Sequence, residues 1–233
     1  MPTKNTPRHV AVIPDANRRW ARQKGLPAIE GHREGYKRMK EVAREARDRD
    51  IRYFTFWAGS EDNLRKRSRL EVLFLAQLLK TGIVKDLLTN DFMKWETRVK
   101  ILGKWDEILR DKALRDLVGE IEDKTKHFSE RFLTVLFGYN GTSEMIQAVQ
   151  DLKESKAPVS YDSIKRHLWT GELPPVDLVI RTGGEPHWSA GFMMWQTANS
   201  QFYFTRTKWP DFGKKQFRAA LDEYARRERR LGK

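Results

Sequence analysis

Residues 9–20 read HVAVIPDANRRW: five apolar residues run directly into an aspartate, an asparagine, two arginines and a tryptophan. A short β-branched run of this kind reads as a buried strand, and the polar residues behind it as the turn into a helix. A surface turn needs Asp or Asn but has no use for two guanidinium groups. The same strand-like signal returns in RYFTFWA (52–58), RVKILG (98–103), FLTVLFG (132–138) and VDLVIRT (176–182), which makes five strands. Between them lies helical periodicity. In REGYKRMKEVAREARDR (33–49), Tyr36, Met39, Val42, Ala43 and Ala46 recur at helical spacing, and KKQFRAALDEYARRERR (214–230) closes the chain as an amphipathic helix. Strands alternating with helices predict an α/β fold: a single domain over residues 1–233 with a mostly parallel central β-sheet flanked by helices.

The 233 residues suffice for one large domain with a real core, and ESKAPVS (154–160) and GELPP (171–175) read as ordinary loops. No run of eighteen apolar residues predicts a membrane span, and the first residues, MPTKNTPRH, lack the apolar core of a secretory signal. With no cysteine, disulfides and thiolate metal sites are excluded, which agrees with a cytoplasmic address. The 45 Lys and Arg against 32 Asp and Glu give a net charge of +13, which favours polyanionic partners.

Ligands of a parallel sheet gather at the carboxyl ends of its strands. Three polar clusters fall there: PDANRR after the first strand, GSEDNLRKR (59–67) after the second and RTGGEPHWS (181–189) after the fifth. Arginines at a helix start suit phosphate oxygens, and Asp15 beside phosphates suits Mg²⁺. The alternative for the first cluster is helix capping by Asp15 or Asn17, and for the second, capping by Ser60 or its acidic neighbours. His32 and His187 read either as proton carriers or phosphate donors, or as ordinary packing and surface residues. The segment EVLFLAQLLKTGIVKDLL (71–88) is apolar nearly all round, so it predicts a helix that is either deeply buried or lines an apolar cavity. A diphosphate-binding rim above an apolar tunnel fits an amphiphilic substrate such as a prenyl diphosphate.

Taken in order, HVAVIPDANRRWARQKGLPAIEGHREG, SEDNLRKRSRLEV, DLVIRTGGE, WQTANSQFYFTRTKWPDF and RRERRLG resemble the signature blocks of the cis-prenyltransferases, the undecaprenyl diphosphate synthase family, from about residue 9 to 232. The resemblance implies a homodimeric enzyme that adds isopentenyl diphosphate to an allylic diphosphate (dimethylallyl, geranyl or farnesyl) with Mg²⁺, forming a Z double bond. It makes Asp15 the catalytic metal ligand and places Ala16, Asn17, Arg18, Arg19, Trp20 and His32 around the allylic diphosphate. Ser60, Glu61, Asp62, Asn63 and Leu64 match the next block, with Asn63 at the place of a proton-accepting asparagine, followed by Arg67 and Glu71. Arg181, His187 and Ser189 match the isopentenyl diphosphate site, and Arg230 and Gly232 a motif reaching it from a partner subunit. The basic balance then needs no nucleic acid, since both substrates are polyanions and a long product implies peripheral contact with membranes.

This chain departs from the family pattern in four places. Ala16 replaces a glycine, Leu64 stands where many long-chain members have tryptophan, His187 replaces an arginine, and Gln201 replaces a metal-binding glutamate. Three readings follow: regular chain elongation, irregular coupling with dimethylallyl diphosphate in the second site, and a weakly active subunit of a heteromeric enzyme. The weakened second site predicts products of few isoprene units, with Ala58 compatible with a tunnel and Phe74 or Phe137 placed to block one.

Overall fold

The computed structural model describes residues 6–84 and 93–227. Six strands form one parallel sheet in the order β3-β4-β2-β1-β5-β6. They are β1 (His9–Ile13), β2 (Tyr53–Ser60), β3 (Thr97–Leu102), β4 (Arg131–Tyr139), β5 (Leu178–Arg181) and β6 (Gln201–Phe204). The sixth was not among the five expected strands. QFYF is only four residues long, too short for its alternation to stand out, and it takes its place by pairing with β5 from Leu178↔Gln201 to Arg181↔Phe204.

Every residue of β1 is buried, because helices and loops cover both faces of the sheet. Side chains alternate between the two. Val10 and Val12 join the larger core with Met39, Val42, Leu75 and Phe217, whereas Ala11 and Ile13 join a smaller one with Trp57, Leu136, Tyr139 and Phe192. The larger core is closed by helices α1 (Asn17–Gln23), α2 (Ala28–Asp48), α3 (Glu61–Lys66), α4 (Arg69–Leu78), α5 (Trp105–Leu109) and α6 (Lys112–Thr125), and by the terminal helix Lys214–Arg226. Over the smaller core lie α7 (Gly141–Ser155), α8 (Tyr161–His167) and the long loop before β6.

The apolar segment 71–88 is not one uniform helix. Its α-helical part stops at Leu78, a π-helical turn spans Leu79–Val84, and the last residues lie outside the described ones. Nor is it buried all round: Leu73 is 52% exposed, while Val72, Leu75 and Ala76 face the core. No described helix is long and apolar enough to cross a membrane.

Candidate active site

The three polar clusters meet in one cleft of about 890 Å³ across the carboxyl ends of β1, β2 and β5. Register explains the convergence: Ile13, the last residue of β1, pairs with Arg181, the last of β5, so Asp15 and Arg181 leave the sheet side by side. An Arg181 guanidinium nitrogen lies 3.2 Å from Asp15 Oδ2, and an Arg19 nitrogen 3.4 Å from Oδ1. The Asp15 backbone is held as well. Its N–H donates to Thr182 Oγ1 at 2.9 Å, and its carbonyl accepts from the Trp209 N–H at 3.0 Å. Asp15 thus sits one-third exposed between two cations.

Asn17, Arg18 and Arg19 form the first turn of α1, and neither Asp15 nor Asn17 caps it. The cap position belongs to Ala16, at φ 75° and ψ 20°, without a side-chain cap. Left-handed backbone is the conformation that favours glycine, which gives the departure at this position a physical cost.

Glu71 is the hub between the first two clusters. Buried at the start of α4, it takes His32 Nε2 at 2.8 Å, Arg67 Nη1 at 3.3 Å and Arg18 Nε at 3.9 Å. Burial pushes His32 below its usual pKa, an effect only partly offset by the hydrogen bond to Glu71, so the ring favours its neutral form. Burial also lowers Arg67, whose Nε has no partner. Ser60 caps α3 by accepting the Asn63 N–H at 3.0 Å, so its expected capping role is realised at the cleft wall, with Asp62 and Asn63 beside it.

On the third side, Arg181 is 5% exposed and donates from Nη1 to the His187 carbonyl at 2.7 Å and to Ser189 Oγ at 2.5 Å. The His187 ring lies outward, more than half exposed, with Nε2 3.0 Å from Ser189 Oγ. Beneath the polar cleft, and sharing Pro14, Asn17, His32 and Ala58 with it, opens an apolar cavity of about 60 Å³. Leu75, Leu78 and Leu79 line it, so the apolar helix does face a cavity. Phe137 lines it too, but Phe74 does not; its ring instead packs 5.5 Å from the Arg33 guanidinium.

Several expected site residues lie elsewhere. Trp20 is buried under α1 and donates its indole N–H to Asp211 at 2.8 Å. Leu64 belongs to the core, and Glu61 is held by Arg65 and the Ser143 hydroxyl. Gln201 pairs with Leu178 at the opposite end of β5 from Arg181, about 10 Å along the strand, so within one chain it is no co-ligand of Asp15. Arg230 and Gly232 lie outside the described residues. Conversely, Arg22, Leu26, Trp57 and Ala190 line the cleft without having been singled out. Trp57 was visible as the last aromatic of its strand, but nothing local marks the others.

A family model described as "Putative undecaprenyl diphosphate synthase" matches residues 13–232. An isoprenyl transferase of Thermotoga maritima is 36% identical over 232 residues, covering 97% of each chain. The "tritrans,polycis-undecaprenyl-diphosphate synthase (geranylgeranyl-diphosphate specific)" of Thermoplasma volcanium is 36% identical, over 97% of this chain and 89% of its own. Among solved structures, lavandulyl diphosphate synthase from Lavandula x intermedia, in complex with dimethylallyl diphosphate, superimposes with a TM-score of 0.89 at 28% identity, covering 99% of this chain and 100% of its own. With its sheet order, its cleft and these likenesses, the chain belongs to the undecaprenyl diphosphate synthase family of cis-prenyltransferases.

Proposed function

We propose that this enzyme joins isopentenyl diphosphate to an allylic prenyl diphosphate, releasing diphosphate and leaving a Z double bond in the product. The observation that carries this reading is Asp15 and several arginines gathered at the rim of an apolar cavity. The allylic carbon–oxygen bond breaks, its electron pair leaving with the diphosphate. The alkene of isopentenyl diphosphate forms the new carbon–carbon bond, and a proton is lost from the adjacent carbon. Arg18 and Arg19 bind the departing diphosphate, where added negative charge is stabilised most. Arg181 and Ser189 hold the second diphosphate, and Asn63 lies across the cleft as a polar group for the proton's departure. Apolar walls exclude water from the cation-like carbon.

The family generally uses Mg²⁺, and the residues present fit it. Among the described residues no cluster of three or more His, Asp, Glu or Cys could cage a metal, whereas Asp15 is partly exposed beside the phosphate-binding arginines. That is the donor set of an ion bound by one carboxylate and substrate oxygens. When bound, Mg²⁺ would neutralise charge on the leaving diphosphate.

Phe137 stands on the wall of the apolar cavity, where its ring would limit chain growth, which supports products of few isoprene units. A homodimer is supported by Phe204 on the edge strand and by Ile146 and Val149 on α7, all large apolar side chains left exposed. The apolar product is the argument for peripheral membrane contact. A second reading, irregular coupling with dimethylallyl diphosphate in both sites, is favoured by His187 in place of a cation and by the likeness to lavandulyl diphosphate synthase.

One experiment separates the readings. Protein and Mg²⁺ are incubated with labelled isopentenyl diphosphate and dimethylallyl, geranyl or farnesyl diphosphate in turn, beside a dimethylallyl-only tube. Short Z-products are expected. A long polyprenyl ladder contradicts the short-product reading, coupling in the dimethylallyl-only tube favours the irregular enzyme, and no product in any tube favours the weakly active subunit of a heteromeric enzyme.

A further inference from the structure

The wall that presents Ser189 is a loop, and its backbone is strained. Ala190, Gly191 and Met193 all have positive φ, at 46°, 59° and 46°. Such conformations persist only where the surroundings over-determine them. Two fastenings do so here. The Gly141 N–H, at the start of α7, donates to the Ala190 carbonyl at 3.0 Å, and a Cβ at Gly141 would lie 1.8 Å from the Gly191 oxygen. The second fastening is a side chain. The Tyr139 hydroxyl accepts the Met193 N–H at 3.1 Å and donates to Glu144 Oε2 at 2.5 Å.

Glu144 is 2% exposed, and its other oxygen accepts the Thr170 N–H at 2.7 Å and the Thr170 hydroxyl at 2.8 Å. The Tyr139 ring is fully buried among Trp57, Trp169 and Phe192. The phenol oxygen is therefore a fixed point: ring packing sets its position and the carboxylate sets the direction of its proton. That leaves its lone pair aimed at the loop. Among the described residues the Glu144 side chain hydrogen-bonds Tyr139 and Thr170, neither of which lines the cleft, so this network reaches the chemistry through the loop it holds.

We propose that Tyr139 is a positioning residue for the second substrate: its hydroxyl, oriented by Glu144, pins the 187–193 loop so that Ser189 meets Arg181. This rests on the assignment of Arg181 and Ser189 to isopentenyl diphosphate. Removing the hydroxyl leaves the Met193 N–H and Glu144 Oε2 without a buried partner, and the loop is the part free to move.

The test is Tyr139→Phe in the full chain, which keeps the ring packing. The KM for isopentenyl diphosphate is expected to rise about tenfold, the scale of one lost buried hydrogen bond, with the allylic KM unchanged. Hydrogen exchange at the Met193 amide should accelerate in the same variant. Ile121→Val, in the core under α6, supplies a control that loses stability without splitting the two KM values. Glu144→Gln, which still accepts from Thr170, should disturb the KM less than Glu144→Ala. An unchanged KM for isopentenyl diphosphate, or an equal rise in both KM values, overturns the proposal. If the wild-type protein turns over neither substrate, it is the function that fails. Exchange at Met193 then still decides the anchor, and protection retained in Tyr139→Phe overturns it.

Discussion

The wall of the cleft that follows β1 stands on regular elements, whereas the wall that follows β5 is a loop tied down by distant hydrogen bonds. On the first, Asp15 leaves a fully buried strand, and Arg18, His32 and Arg67 converge on Glu71 from α1, α2 and the segment before α4. On the second, Ser189 sits in backbone with several positive φ values, held by Gly141 and Tyr139 from across the sheet. The difference bears on which substitutions each wall tolerates. Arg181 binds the main-chain carbonyl of residue 187, so a histidine there keeps that bond although the family cation is gone. At the first wall the side chains themselves make the contacts, so a change of residue there removes the contact with it.

The largest effect should therefore come from the first wall. Asp15→Ala removes the one cleft carboxylate placed between Arg19 and Arg181, and turnover should fall about a thousandfold, the scale seen when a transition-state charge partner is lost. Arg181 keeps its bonds to His187 and Ser189, so the melting temperature should change little. Steady-state rates with a melting curve check both. Activity within tenfold of the wild type would erase the contrast between the walls.

Acid should separate the walls next. His9, the first residue of β1, is fully buried between Thr55 and the Pro174 carbonyl, and burial lowers its pKa from the usual 6.5 to about 4. Because the folded value is depressed, its contribution is complete above pH 6.5 and is lost as pH falls towards 4. At about 1.36 kcal/mol per pH unit the loss reaches about 3 kcal/mol. His32 acts in the same direction. Glu144, behind the second wall, is raised by burial, so its contribution is complete below the ordinary carboxylate value and fades as pH rises through the folded one. Urea unfolding between pH 7 and 4 should show falling stability dominated by the histidines. A flat profile would mean that neither His9, at the far end of β1 from the cleft, nor His32, beside Glu71 in the first wall, is held neutral by burial.

The same contrast governs what could be read from sequence. Strands β1, β2 and β5 with their polar tails were legible because an apolar run followed by charge is a local signal, and parallel pairing brings such tails together. β6 escaped because four residues carry too little alternation. The left-handed cap at Ala16 and the π-helical turn after Leu78 are backbone events with no composition of their own. Tyr139, Glu144 and Thr170 form one network across 26 and more residues, so no window shows it, and each alone looks like core or surface. The direction of Trp20, away from the cleft, is likewise a matter of packing against Asp211.

The smallest effect expected is a gain. Ala16 is buried and pays for its φ of 75° in steric strain of about 1–2 kcal/mol. Ala16→Gly relieves that strain, but glycine gives back part of it, about 0.5–1 kcal/mol, through the greater freedom of the unfolded chain. A net stabilisation of about 1 kcal/mol or less remains, readable as a higher urea midpoint with an unchanged slope. The Ala16 methyl also faces the crowded approach of Gly183, where a Cβ would come within 2.9 Å of it. Its removal therefore loosens contact where Asp15 and Arg19 pack against Gly183, on the allylic side of that glycine. The allylic KM should respond and the isopentenyl diphosphate KM should not, the reverse of the split expected for Tyr139→Phe. If Ala16→Gly instead shifted both KM values together, the two walls would be one mechanical unit, and the distinction between a helix-built and a loop-built wall would not extend to function.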